Sequence, residues 1–308
     1  MIGQLGWIDN PQAVAESEAR MCAAGVLTIC GDAESTLTGY AKRRISDGMT
    51  YSLAQVHETK LGMSQPSFHQ SRGTCVDQAG VRTTQDCLYA AISRGLLVTT
   101  PTRIARGPVY AMARRRFKYG QSMGKNDGLA GAHWAEIAAT VGVYPRRKLG
   151  QLDLAKDEEK HAVDWANAGW PAGLDKLGIK IKAHRPRTID DLEDCIFAGY
   201  FAFQCSASYF EGRAANGFAT RRSLNGGGHC EENCGVYVDK RGNIQHVRQQ
   251  SWGDAAPAPQ PWSIQPADSP VIQLRLGSYP VHRDDMSKLM EQGETWCVQM
   301  VQGFDGVA

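Results

Sequence analysis

The apolar pattern of this sequence changes at Gly199, and that change restricts the folds that the chain can adopt. Before Gly199, apolar residues recur at helical spacing in several segments, of which 76–94 contains no proline and is followed by Gly95 as a natural stop. After Gly199, short segments alternate apolar and polar side chains as strands do, beginning with 201–205. Helices followed by a run of antiparallel strands predict an α+β fold with segregated halves.

Local signals predict where the other elements begin and end. Asn10-Pro11 is a good helix start, because Asn can cap the helix and Pro fits its first turn, and this helix is expected to end at Gly25. Thr188-x-x-Asp191 resembles a capping box and predicts a helix to Ala198. A further helix is predicted over 131–141, and strands are predicted over 26–30, 234–239, 244–249, 271–276 and 296–301.

The chain is predicted to consist of one main domain and an N-terminal extension. Residues 31–67 are polar and interrupted by glycines, and they contain too few apolar residues to hold a core of their own. We therefore expect residues 1–64 to pack on the surface of a core domain that spans residues 65–308.

Charge and hydropathy exclude several classes of protein. Lys and Arg together number 34 against 32 Asp and Glu, a formal net charge of +2, so no nucleic-acid partner is expected. The longest uncharged run that we find, 195–210, is shorter than the roughly 20 apolar residues of a membrane span. The first ten residues do not resemble a signal peptide. We expect a cytoplasmic or virion-associated protein that does not bind membranes.

One of the nine cysteines stands out as a candidate nucleophile. Cys75 is the cysteine that we place at the start of a predicted helix, where the partial positive charge of the helix N-terminus stabilises a thiolate. The other cysteines are expected to be mostly buried thiols.

His229 is the histidine with the most distinctive surroundings among the eight in the chain. It follows three glycines and opens a predicted strand, so the backbone can approach another segment closely at this point. The segment Gln250-Ser251-Trp252-Gly253 follows the next predicted strand, and its amide and indole side chains are suited to orient and shield an imidazole.

Taken together, these segments resemble the papain-like cysteine peptidases. Gly73-Thr74-Cys75 opens a helix, Gly228-His229 opens a strand, and 250–253 is similar to the family's Asn-Ser-Trp-Gly motif. The order Cys, His, amide is that of the family, although His229 lies slightly farther from Cys75 than the usual 130–150 residues or so. The resemblance covers roughly residues 65–300. The sequence Arg-Gly-Thr-Cys-Val around Cys75 is more similar to prokaryotic and phage-type members.

The resemblance implies a two-lobe fold and a role for each motif. Cys75 would be the nucleophile, His229 its base, and Gln250 the amide that orients His229 in place of the family's Asn. The family's oxyanion-donor Gln lies six residues before the Cys, a position that His69 occupies here, whereas Gln70 lies five before it. We expect Gln70 to be the donor, with His69 as the alternative. The implied substrate is a polypeptide, and no cofactor or metal is expected.

Two other interpretations of the sequence remain open. The first is a non-enzymatic or weakly active structural subunit of this fold, for instance in a virus or phage particle, with protein assembly partners. The second is a zinc or thiol protein that uses Cys230 and Cys234, although a structural zinc site needs four ligands and the sequence offers no clear second pair.

Overall fold

The computed structural model describes residues 6–31, 37–64, 68, 70, 73–119, 127–155, 159–224, 228–253 and 261–304. Its helices have the bounds α1 Pro11–Ala23, α2 Tyr40–Ser46, α3 Ala54–Lys60, α4 Cys75–Ser93, α5 Pro108–Arg116, α6 Gly131–Thr140, α7 Glu159–Ala168, α8 Ile189–Phe197 and α9 Arg283–Glu291. Its strands are β1 Leu27–Ile29, β2 Tyr51–Leu53, β3 Lys148–Leu149, β4 Leu152–Asp153, β5 Ile181–Arg185, β6 Ala202–Ser206, β7 Ser208–Arg213, β8 Ala219–Ser223, β9 His229–Val238, β10 Ile244–Gln249, β11 Ser263–Ile264, β12 Ile272–Gln273, β13 Ser278–Val281 and β14 Glu294–Met300.

One large sheet organises the molecule. Its strand order is β1-β5-β14-β6-β9-β10-β13, and β2 also pairs with β9. The β1–β5 pair is parallel and the other pairs of this sheet are antiparallel. Most helices precede the antiparallel run along the chain, so the predicted α+β class is confirmed.

Helix α4 lies against the middle of this sheet. It packs on β6, β9 and β14, and nearly all of its side chains are buried, polar ones included. One of these polar groups, the carboxylate of Asp77, accepts a hydrogen bond of 2.8 Å from the indole of Trp134 in α6. This bond ties the first turn of α4 to α6, while the helix as a whole lies against the sheet.

Several predicted bounds agree with the structure, and two predicted strands differ from it. Asn10 caps α1, Thr188 and Asp191 form the capping box of α8, and β10 has the predicted bounds. The strand predicted over 234–239 begins earlier, at His229, because its buried Glu and Asn side chains hide the apolar alternation. The strand predicted over 271–276 is reduced to β12, and β13 and α9 were not predicted.

The first 64 residues contribute directly to the main sheet. Strand β1 pairs with β5 at one edge, and β2 pairs with residues 235–237 of β9. The side chain of Ser52 in β2 also donates a hydrogen bond of 2.7 Å to the carbonyl of Ile196 at the end of α8. In the described part of the chain, no helix combines the length and hydropathy needed to cross a membrane.

Buried histidines predict that the stability of the fold depends on pH. Burial lowers the pKa of four histidines to about 4; they are His57, His133, His184 and His229. At these four positions the unfolded chain therefore binds more protons than the folded chain between pH 6.5 and 4, which makes the free energy of unfolding fall as the pH falls. Burial raises the pKa of Glu58 to about 7, and this carboxylate acts in the opposite direction. Each histidine contributes up to about 1.4 kcal/mol per pH unit in this window.

Urea denaturation at pH 7 and pH 5 measures this dependence, and we expect a lower midpoint at pH 5. A His184→Gln variant should show a shallower pH slope than the parent chain. Equal midpoints at the two pH values would contradict the expectation.

Candidate active site

Cys75 is the first residue of α4, and its thiol is fully buried. Burial and the nearby Cys230 thiol raise its pKa, while the backbone N–H groups of Cys230, Gly6 and Val76 act in the opposite direction. These N–H groups lie near the sulfur and favour a thiolate, as the N-terminus of α4 also does. The thiol therefore lies among groups suited to stabilise its anion, but in a place that solvent does not reach.

The cover over Cys75 is provided by Gly6–Ile8, which we call the N-terminal segment. Trp7 donates a backbone hydrogen bond of 3.2 Å to Gly228, and Leu129 donates one of 2.8 Å to Gly6. The indole of Trp7 donates a hydrogen bond of 2.7 Å to the buried carboxylate of Glu294. The N-terminal segment is therefore fixed to both halves of the molecule beside the nucleophile candidate.

Two glycines make this close approach possible. A Cβ atom on Gly6 would lie 2.1 Å from the carbonyl oxygen of Gly73, and one on Gly228 would lie 2.0 Å from the ring of Trp7. Larger residues at either position would push the N-terminal segment away. The sequence pattern suggested a close backbone approach before His229, but it did not indicate that Trp7 is the residue that makes it.

His229 is the first residue of β9 and is also buried. Its ring stacks on Trp252 with 4.1 Å between ring centroids and an interplanar angle of 17°. Burial lowers the pKa of His229 to about 4, the charge of Glu231 raises it and that of Arg248 lowers it. The predicted shielding of the imidazole by Trp252 is present, and the imidazole is neutral at pH 7.

The predicted hydrogen bond between Gln250 and His229 is not formed. The side-chain oxygen of Gln250 accepts a hydrogen bond from the backbone N–H of Trp252, and its nitrogen donates one to the carbonyl of Gly253. Within the residues that the structure describes, neither ring nitrogen of His229 has a hydrogen-bond partner. The longer Gln side chain folds onto its own turn, and so it holds the loop that carries Trp252.

Gln70 lies beside the same loop. Its backbone N–H donates a hydrogen bond of 2.8 Å to the carbonyl of Ser251, and its side-chain oxygen accepts one of 2.8 Å from the Ser251 hydroxyl. Both bonds fix position 70 against the residue that follows Gln250. His69, the alternative oxyanion donor, lies outside the described residues.

The structure thus brings the four candidate residues to the junction of α4, β9 and the turn after β10. The Cys75 thiol faces the backbone N–H of Cys230, the residue after His229, and Gln70 is bonded to the residue after Gln250. A hydrogen bond between the Cys75 thiol and the His229 ring is not formed.

The other cysteines differ from Cys75 in their surroundings. Cys205 and Cys230 are directly opposed across β6 and β9, with their sulfurs 2.8 Å apart, and Cys30 and Cys195 are in contact at 3.5 Å. Cys22 is exposed. Exposure alone therefore makes Cys22, not Cys75, the thiol most accessible to small reagents while the N-terminal segment is in place.

The Cys230 and Cys234 pair does not form a metal site with other described residues. The Cys234 thiol faces the carbonyl of Val247 at 3.5 Å, and Cys230 contacts Cys205. Across the described ranges, no group of three or more His, Cys, Asp or Glu side chains is arranged to hold a metal ion.

Glu231 is a candidate functional residue that the sequence motifs did not indicate. Glu231 lies two residues after His229 on β9, and its carboxylate oxygen Oε1 is 3.8 Å from Nε2 of His229. The signal was available, because side chains two residues apart on a strand point to the same face.

Comparisons with known proteins give structural relatives only. No model of a known protein family matches the chain, and no curated protein matches it. Xylellain, a cysteine protease from Xylella fastidiosa, is 13% identical with a TM-score of 0.55, and the alignment covers 97% of each chain. Digestive procathepsin L 3 of Tenebrio molitor larval midgut is 12% identical with a TM-score of 0.49, over 92% of this chain and 87% of that one. The bromelain protease from Ananas comosus is 14% identical with a TM-score of 0.45, over 82% of this chain and 99% of that one.

The xylellain alignment extends over almost the whole of both chains. At this level of identity it concerns the fold. The fold predicted from the three motifs is confirmed: this chain has the fold of the papain-like cysteine proteases.

Proposed function

We propose that this protein is a cysteine peptidase that hydrolyses peptide, isopeptide or related amide bonds. The observation that carries the proposal is the position of Cys75 as first residue of α4, beside the start of β9, where nearby backbone N–H groups act to lower the pKa of its thiol. Such an environment favours a thiolate once solvent and substrate reach it.

In the proposed reaction, His229 takes the proton of Cys75, and the thiolate attacks the carbonyl carbon of the substrate. The tetrahedral oxyanion is stabilised by the backbone N–H of Cys75 and the side-chain amide of Gln70. His229 then protonates the leaving amine, and water hydrolyses the acyl-enzyme. In this scheme Gln250 supports the loop that carries Trp252, which stacks on the imidazole.

The partner that fits this chemistry is a polypeptide. A net charge of +2 gives little reason to expect nucleic acid, and we propose a cytoplasmic or virion-associated location without membrane contact. No cofactor or metal has a step in the proposed reaction.

The second candidate is a non-enzymatic structural subunit, and the geometry around Cys75 favours it. The Cys75 thiol is covered, and the imidazole of His229 is not hydrogen-bonded to it. Catalytic hydrogen bonds are often long or absent in unliganded enzymes, so this geometry is also compatible with a peptidase whose cleft is closed.

A peptidyl epoxide separates the two candidates. Because such a reagent must bind as a peptide before it alkylates a thiol, we expect peptide mass mapping to find the adduct on Cys75, and none in a Cys75→Ser variant. Exposed Cys22 serves as the internal control for unselective reactivity, and iodoacetamide should label it in both proteins. An epoxide adduct on Cys22 with none on Cys75, before and after removal of residues 1–9, would favour the structural subunit.

A further inference from the structure

A histidine that acts as a base needs a defined tautomer. The neutral ring carries one proton, and the nitrogen that faces the nucleophile must be the one without it. In papain-like order this task belongs to the amide at position 250, but the amide of Gln250 is bonded to Trp252 and Gly253. Another group is needed to hold the imidazole of His229.

Glu231 is placed for this task. It follows His229 by two residues on β9, so both side chains lie on the same face of the strand. Its Oε1 lies 3.8 Å from Nε2 of His229, which is within ion-pair distance and about 1 Å longer than a hydrogen bond. Both side chains are buried, so water does not compete for the contact.

The other oxygen of Glu231 is fixed by two residues. Oε2 accepts hydrogen bonds of 2.9 Å from Nε of Arg248 and of 2.9 Å from the hydroxyl of Tyr279, and it lies 2.8 Å from Nη2 of Arg248 in an ion pair. Arg248 is itself held by Gln204 on β6. One carboxylate oxygen is therefore anchored, and the other is left facing the imidazole.

We propose that Glu231, rather than Gln250, is the residue that positions His229, by accepting a hydrogen bond from its Nε2–H. The proposal rests on the proposed peptidase function and specifies how its base is oriented. With the proton held on Nε2, the nitrogen Nδ1 takes the proton of Cys75, and the imidazolium then gives that proton to the leaving amine. Glu231 acts only as a hydrogen-bond acceptor and touches neither substrate nor the reacting atoms.

The charged groups around His229 are compatible with this role. On its own strand it faces Glu231, whose charge favours the imidazolium; from β10 it faces Arg248, which disfavours it and at the same time neutralises Glu231. The thiol of Cys75 at the start of α4 is the acid that His229 must deprotonate. A small rotation of either side chain closes the 3.8 Å gap when the ring becomes charged, as catalytic hydrogen bonds commonly shorten in the reacting complex.

The test compares the full chain with Glu231→Gln and with the double variant Glu231→Leu/Arg248→Met. The double variant is included because Glu231→Gln leaves a buried arginine without its carboxylate and can fail to fold, whereas an apolar replacement of both partners is often tolerated. Nitrogen-15 NMR of labelled histidine at pH 7, with His229→Gln to assign the signal, reports which ring nitrogen is protonated. Hydrolysis of a peptide substrate by each of these proteins after removal of residues 1–9, which uncovers Cys75, gives kcat, KM and their pH dependence.

We expect the parent chain to carry the proton on Nε2 of His229, and the double variant to lose this preference. In both variants kcat should fall about 10-fold with little change in KM, the size of effect usual for a residue that orients another. In Glu231→Gln the alkaline limb of the pH profile should move down by about one unit, because the imidazolium loses its counter-charge.

Glu58→Gln is the matched control, because Glu58 is also a buried partner of an arginine, Arg275, but lies on α3. It should lower stability without changing the tautomer of His229. An unchanged tautomer in the double variant, or a change that occurs in Gln250→Ala instead, would overturn the proposal. A parent chain that hydrolyses no peptide even after removal of residues 1–9, but whose His229 tautomer depends on Glu231, would contradict the peptidase function and still support the positioning.

Discussion

Removal of residues 1–9 is expected to increase the rate at which iodoacetamide alkylates Cys75 by about 100-fold or more at pH 7. The N-terminal segment covers the thiol, and burial raises its pKa. For each unit by which the pKa of Cys75 falls toward about 8.5, the fraction of thiolate at pH 7 rises about ten-fold. A fall of two units or more in the pKa of Cys75 therefore produces the expected increase. Peptide mass mapping against time measures it for Cys75 separately from exposed Cys22.

Two single substitutions, one in the N-terminal segment and one in the core, make this experiment specific. Gly6→Val keeps the full chain but places a side chain against the carbonyl of Gly73, so it should also increase the alkylation rate of Cys75. Met21→Ala leaves a cavity under α1 and costs about 2–5 kcal/mol of stability without touching Cys75, so it should leave the rate unchanged. An equal increase in Met21→Ala would show that general loosening of the fold, and not the cover, limits the reaction.

Much of the candidate site could be predicted because each of its motifs is local. Cys75 opens a helix and His229 opens a strand, and short-range signals such as glycines, spacing and alternation mark both positions. The predicted shielding by Trp252, which stacks on the imidazole, also joins residues at the ends of neighbouring strands, because His229 begins β9 and Trp252 follows β10.

The parts that could not be predicted depend on long-range contacts between polar groups. Trp7 bonds to Glu294 across almost the whole length of the chain, and no local pattern marks the pair. Arg114 is also buried, and it donates hydrogen bonds to the carbonyls of Gly128 and Tyr119. In each case a buried charge or indole is matched to a distant partner that only the fold brings close.

The predicted hydrogen bond between Gln250 and His229 is not formed for a different reason, which is the length of the Gln side chain. The extra methylene of Gln allows its amide to reach the backbone of its own turn, at Trp252 and Gly253, and local hydrogen bonds of this kind compete with longer-range ones. The motif therefore identified the correct loop but not the atom that faces the imidazole.

Gln70→Ala is expected to lower kcat by about 100- to 1000-fold with a small change in KM, measured on the form without residues 1–9, because an oxyanion donor acts mainly in the transition state. Ser251 bonds both the backbone and the side-chain oxygen of Gln70, so it orients the amide whose nitrogen would meet the oxyanion. Ser251→Ala removes one neutral hydrogen bond, about 0.5–1.5 kcal/mol, and should cost only about 2- to 10-fold. His69→Ala should also be mild. A larger loss in His69→Ala than in Gln70→Ala would assign the donor to His69, and equal losses in Gln70→Ala and Ser251→Ala would mean that Gln70 only supports the loop.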